Sequence, residues 1–192
     1  LNDLRFIPEE LKTPELCESA VQKDGWSLYY VPKEYKTPEL CKIAIQEEGH
    51  SLNCIPKELI TFELCELAVQ KAGYTLRFAP LYLRTKELCE LAIHQNGLAL
   101  EYVPYELRTK EICLEAVQKN GKALGHVPDK YLTLELCKLA IQQNGNALTI
   151  IPRKYETKEL YELAVQQNGK SLRHIPKELR TKELCELAIK QN

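Results

Sequence analysis

At 192 residues, with 44% hydrophobic and 28% charged side chains, the chain has enough apolar groups for a continuous core and enough charge to stay dispersed in water. A formal net charge of −1 argues against general attraction to nucleic acid or anionic membrane. No apolar run is long enough to span a bilayer, and the first residues carry no signal-peptide pattern.

Residues 1–12 are a partial unit, and a complete one opens at Thr13. Steps of 24 residues then lead to Thr37, Thr61, Thr85, Thr109, Thr133, Thr157 and Thr181 without a gap. Pro8, Pro32 and Pro56, and Ala20, Ala44 and Ala68, begin two further series in the same phase. A fixed period of this size marks a repeat array. Residues 1–192 are therefore read as one array of eight 24-residue units. The mid-unit start at Leu1 and the lack of Met point to a fragment of a longer protein.

The copy from Thr37 to Ile60 shows the expected elements. Thr37 suits an N-cap, Pro38 the first helical position and Glu39 the first turn, where the helix dipole favours a carboxylate. Leu40, Cys41, Ala44 and Ile45 make an apolar stripe at helical spacing. Gly49 is expected to close this helix of about eleven residues as a left-handed C′ residue. In the second half, Leu52, Ile55 and Leu59 share a side, and Ser51 is small in every complete copy. Pro56 removes a donor, so the second helix must be short or broken there. Neither element can bury its apolar side alone. The predicted fold is all-α, an α-solenoid whose units each hold one long helix and one short or broken one. Val21, Ile45, Val69 and Ile93 begin a strict Val/Ile alternation, which points to a duplicated parent of 48 residues.

The pattern Glu-Leu-Cys-x-x-Ala-Val/Ile-Gln-x-Asn-Gly-x-Ala-Leu-x-x-Val-Pro-x-x-Leu, present along all 192 residues, resembles the tandem repeats of the domain-of-unknown-function family 4116. The family's unit of about 48 residues corresponds to two copies. The resemblance implies a helical repeat but no activity. It also implies a bacterial setting, with host cytosol as the destination if the parent is a secreted effector. The similarity to leucine-rich-variant repeats is weaker.

Cys17, Cys41, Cys65, Cys89, Cys113, Cys137 and Cys185 share one repeat position on the apolar stripe, where Tyr161 stands in the remaining copy. One thiol per stacked repeat can supply neither a metal site nor a disulfide, so these are core residues and no metal or cofactor is expected. Unpaired thiols in this number point to a reducing, cytoplasmic compartment. Cys54 lies four residues after His50, the spacing of a nucleophile and base on one helical face, but no orienting group or oxyanion site accompanies them. No catalytic residue is expected, and the chain does not read as an enzyme.

Positions that vary between copies are free of the scaffold's demands. Three lie in the short element, led by Trp26, Tyr29 and Lys33. From Trp26 to Tyr105 they hold Trp26, Tyr29, Tyr74, Leu81, Leu98 and Tyr105, with Arg77 among them; beyond, they hold Lys122, Arg153, Lys170 and Arg173. Aromatic residues and Arg are enriched at interface hot spots. These eleven residues are the expected partner-binding face, for a protein or peptide with an apolar segment followed by an acidic one. Residues 1–96 carry 11 Lys/Arg against 15 Asp/Glu, and residues 97–192 carry 15 against 12. Single-stranded nucleic acid on the basic C-terminal half is the alternative, disfavoured because the first half lacks a basic track. A purely structural spacer is the other alternative.

Overall fold

The computed structural model describes residues 3–191. Each Thr-led copy begins with an α-helix: α1 (Pro14–Lys23), α2 (Pro38–Glu47), α3 (Phe62–Lys71), α4 (Lys86–Gln95), α5 (Lys110–Lys119), α6 (Leu134–Gln143), α7 (Lys158–Gln167) and α8 (Lys182–Lys190). All eight threonine hydroxyls accept the backbone N–H three residues on, at 3.2–3.3 Å. Each thereby meets one of the four unsatisfied donors of a helix start.

The second element winds more tightly than an α-helix. Gly25–Tyr30, Gly49–Cys54, Gly73–Phe78, Gly97–Tyr102, Gly121–His126, Gly145–Ile150 and Gly169–His174 are 3-10 helices, and a three-residue 3-10 turn such as Lys57–Leu59 follows each. Six residues from the glycine up to an X-Pro pair leave no room for a stable α-helix, whereas 3-10 winding closes a turn every three residues. No strand occurs among the described residues, and the fold is an all-α solenoid.

The glycine does a different task from the left-handed cap expected of it. No described glycine has positive φ. The α-helix ends one residue earlier, at an extended residue with φ between −142° and −156°; at Asp24, Glu48, Ala72, Asn120, Asn144 and Asn168 its N–H donates to the Ala carbonyl four residues back. Where that residue is Asp or Asn, its side chain accepts the N–H two residues on at 3.0 Å, as in Asn120 to Lys122, so the Asn-Gly pair starts the 3-10 helix. Glycine is required because the next repeat presses on it. A Cβ at Gly25, Gly97 or Gly121 would overlap the carbonyl oxygen of Ala44, Ala116 or Ala140, respectively, and one at Gly145 would lie 2.9 Å from Ala164 O.

The chain divides into two units, Leu1–Gln95 and Asn96–Asn192. In the first, α2 packs on Gly25–Tyr30, on Gly49–Cys54 and on both flanking α-helices; in the second, α6 does the same with Gly121–His126 and Gly145–Ile150. Each unit is thus a layer of α-helices on a layer of 3-10 segments. Leu40, Cys41, Ala44, Ile45, Ser51, Leu52 and Ile55 are buried, and so are most of their counterparts in other copies.

In five of the eight copies a cation just before the threonine (Lys12, Lys36, Arg84, Arg108 or Arg180) holds the layers together. Arg108 donates from Nε to Val103 O at 2.9 Å and from Nη2 to Glu101 O at 3.1 Å, and its Nη1 reaches His126 O of the next copy at 2.8 Å. Arg84 and Arg180 make the two contacts within their own copies, and Lys12 and Lys36 make the contact to the next. These cations satisfy carbonyls that the end of a 3-10 helix leaves open.

Two stability outcomes follow. Gly121→Ala is expected to cost about 2–3 kcal/mol, since neither backbone can yield to the other. Gly125→Ala, whose Cβ would meet only Ile150 Cδ1 at 3.9 Å, is expected to be neutral or to stabilise by up to about 1 kcal/mol. Urea unfolding followed by circular dichroism reads both, and equal effects would refute the close-approach role. Arg108→Ala is expected to cost about 2 kcal/mol, with Arg108→Lys falling between it and the parent.

Candidate partner-binding face

The 3-10 winding decides which side chains face outward. Residues three apart eclipse one another, so Trp26 lines up with Tyr29 and Tyr74 with Arg77. The buried partners of the same segment, Ser27 and Leu28 or Thr75 and Leu76, face the α-helices. The small residue stays small because it lies under the neighbouring copy. Ser51 Oγ and Ser171 Oγ are buried there without a hydrogen-bond partner, whereas the Thr75 hydroxyl donates to Ala72 O at 2.7 Å.

Of the eleven expected residues, the first unit carries Trp26, Tyr29, Tyr74, Arg77 and Leu81. Trp26 is 44% exposed, and Tyr29 and Leu81 are each 66% exposed. Tyr74 is half-buried and Arg77 exposed. The Trp26 ring lies parallel to His50, with centroids 6.4 Å apart, and His50 meets Phe78 edge-on at 6.3 Å. The Arg77 guanidinium lies 5.0 Å from the centroids of both Tyr74 and Phe78. Three rings from three successive copies therefore form one row, ending at an arginine held between two rings.

His50 and Phe78 were not among the expected residues. In the sequence His50 stands at the spacing of a base from Cys54 without the further groups a reactive pair needs, and the mostly apolar repeat position of Phe78 reads as inter-copy packing. The structure turns Cys54 inward, where burial raises its thiol pKa and disfavours the thiolate a nucleophile needs. His50 Nδ1 instead lies 2.8 Å from Glu48 Oε1, and this contact, with the His50 backbone N–H, holds the Glu48 carboxyl below its usual range. The signal available in the sequence was that His50 shares a repeat position with Trp26 and Tyr74.

The second unit carries Leu98, Tyr105, Lys122, Arg153, Lys170 and Arg173. Leu98 is half-buried and the other five are exposed, with Lys130 Nζ 5.9 Å from the Tyr105 ring centroid. Arg173 Nε donates to His174 Nε2 at 2.9 Å; burial first, and the neighbouring guanidinium second, lower the His174 pKa. Among the described residues, Lys122, Arg153, Lys170 and Arg173 form no ion pair. On the α-helix side, by contrast, Lys42 pairs with Glu63 at 2.8 Å and Lys138 with Glu159 at 3.0 Å, each across to the next copy.

Among the described residues, no group of three His, Cys, Asp or Glu side chains is placed to hold a metal ion, and no helix is long and apolar enough to cross a membrane. All eight cysteines are free thiols. Burial pushes Cys41, Cys65, Cys89, Cys113 and Cys137 up to about 11. Tyr161, in the same series, donates its hydroxyl to Glu156 Oε2 at 2.7 Å, and burial followed by that carboxylate raises it to about 12.

A helical repeat with a largely apolar interior and a variable outer face is a class defined by its fold and not by a reaction. Within that class, the chain belongs to the family described as "Domain of unknown function (DUF4116)", which matches residues 13–60, 61–108, 85–133, 109–155 and 157–192. The first two matches span two copies each, in agreement with the 48-residue parent unit. No curated protein and no solved structure matches the chain.

The thiols provide a chemical check on this placement. In native protein at pH 8, Ellman's reagent is expected to titrate only the half-exposed Cys185 quickly, with the buried thiols about a hundredfold slower. All should react once guanidinium unfolds the chain. Several fast thiols in the native state would place the series outside the core.

Proposed function

We infer that the chain is a binding module for a protein or peptide, with the outer side of its 3-10 segments as the contact surface. The observation that carries this reading is the row of Trp26, His50 and Phe78, flanked by Tyr74 and Arg77. It is aromatic surface next to an exposed arginine, with Trp26 exposed and His50, Phe78 and Tyr74 half-buried, and aromatic residues and Arg dominate binding energy at interfaces. The scaffold does not require these groups, since other copies hold Leu98, Lys122, Asn146 or Lys170 where Trp26, His50 and Tyr74 stand.

The basic residues of the second unit suit acidic partner segments. Lys122, Arg153, Lys170 and Arg173 carry charge that no ion pair among the described residues neutralises, and such a contact weakens as salt rises.

The test is affinity capture with the whole chain and two variants of unchanged helicity. Trp26→Ala/Tyr29→Ala/Arg77→Ala should lose a partner bound by the first unit, by about tenfold or more. Arg153→Glu/Lys170→Glu/Arg173→Glu should lose one bound by the second, with a parent affinity that falls between 50 and 300 mM salt. Identical captures by parent and both variants would sink the reading.

A further inference from the structure

We propose that the first unit binds its partner as an extended peptide, with two alternate apolar side chains on the aromatic row and a carboxylate on Arg77. This inference rests on the binding-module reading above and specifies the occupant of that surface.

Spacing is the first argument. Successive rings of the row lie 6.4 and 6.3 Å apart. Alternate side chains on one side of an extended strand are about 6.6 Å apart. One turn of an α-helix advances about 5.4 Å, and three residues of a polyproline helix about 9.3 Å. An extended chain thus places one side chain per ring and one per repeat.

Backbone chemistry is the second. An extended peptide arrives with unpaired N–H and C=O groups that must find partners, whereas a helix satisfies its own. Asn53 is exposed in the same copy as His50, at the repeat position of Tyr29 and Arg77. Its carboxamide offers a donor and an acceptor on one group, the pair a peptide unit needs.

Charge sets the end of the register. Arg77 is exposed, stacked on Tyr74 and Phe78, with Nη1 on the Tyr74 hydroxyl. Rings on two sides and this hydrogen bond limit its rotamers, so less freedom is lost when the planar fork takes a carboxylate. The fitting ligand has apolar residues at i and i+2 and Asp or Glu at i+4, in one of the two chain directions.

The experiment measures fluorescence anisotropy of labelled peptides with the whole chain. Leu-Ser-Leu-Ser-Glu and its reverse, each flanked by Gly-Ser, are compared with Leu-Leu-Ser-Ser-Glu and with a helix-forming peptide bearing Leu at i and i+4 and Glu at i+8. One alternating peptide is expected to bind about tenfold tighter than both controls, one good contact's worth. Arg77→Glu should reverse its preference toward a version with Lys in place of Glu. Equal binding, a better helical peptide, or no binding up to about 1 mM would overturn the extended occupant. If the Trp26-dependent capture survives while the alternating preference is absent, the module reading stands and only this inference fails. If capture fails as well, both fail.

Discussion

The glycine that opens the 3-10 segment, pressed against an alanine carbonyl of the next copy at Gly25, Gly49, Gly97, Gly121 and Gly145, sets the distance between those repeats. At Gly25, Gly97 and Gly121 even one added carbon would overlap that oxygen. Close packing of two backbones leaves no flexible side chain to absorb an error, which makes this contact stiff. The buried Ser, Thr or Ala two residues later belongs to the same constraint, since a larger group there would separate the layers again. Ser51 and Ser171 keep a buried hydroxyl without a partner, a cost of about 1–3 kcal/mol. Ala99, Ala123 and Ala147 fill the same place without it.

A fixed spacing between copies is also what turns single residues into a surface. Trp26, His50 and Phe78 come from three copies, 24 and 28 positions apart in sequence, yet form one row of rings. The 3-10 winding contributes by bringing residues three apart into line. The scaffold thus supplies an address system: the repeat position says how exposed a residue is, and the copy says where along the row it lies. The identity of the residue is then left open by the packing.

Copies that depart from the pattern show that some positions are coupled. Tyr161 replaces a buried cysteine, and Glu156 stands in the series that elsewhere holds Lys12, Lys36, Arg84, Arg108 and Arg180. The Tyr161 hydroxyl donates to Glu156 Oε2, so two odd residues are one exchange, in which a buried phenol finds the acceptor it needs. Carbonyl capping shifts as well, with the Tyr155 hydroxyl donating to Leu132 O at 2.7 Å. Leu132 is another copy without the cation.

The sequence by itself determined the repeat, its phase, the capped α-helices, the buried cysteine stripe and the positions that vary between copies. Helix start signals and apolar periodicity are local, and eight copies state them eight times. It also indicated that Trp26, Tyr29, Tyr74 and Arg77 lie at variable positions. Only the tertiary structure decided what the glycine is for, because a left-handed cap and a close approach call for the same residue. The role of the cation before five of the threonines was likewise hidden, since the Arg108 acceptors lie five and seven residues back and, at His126 O, 18 residues ahead. His50 and Phe78 joined the face for the same reason. Their contacts depend on how far apart two backbones sit, and that distance is set between repeats, not within one.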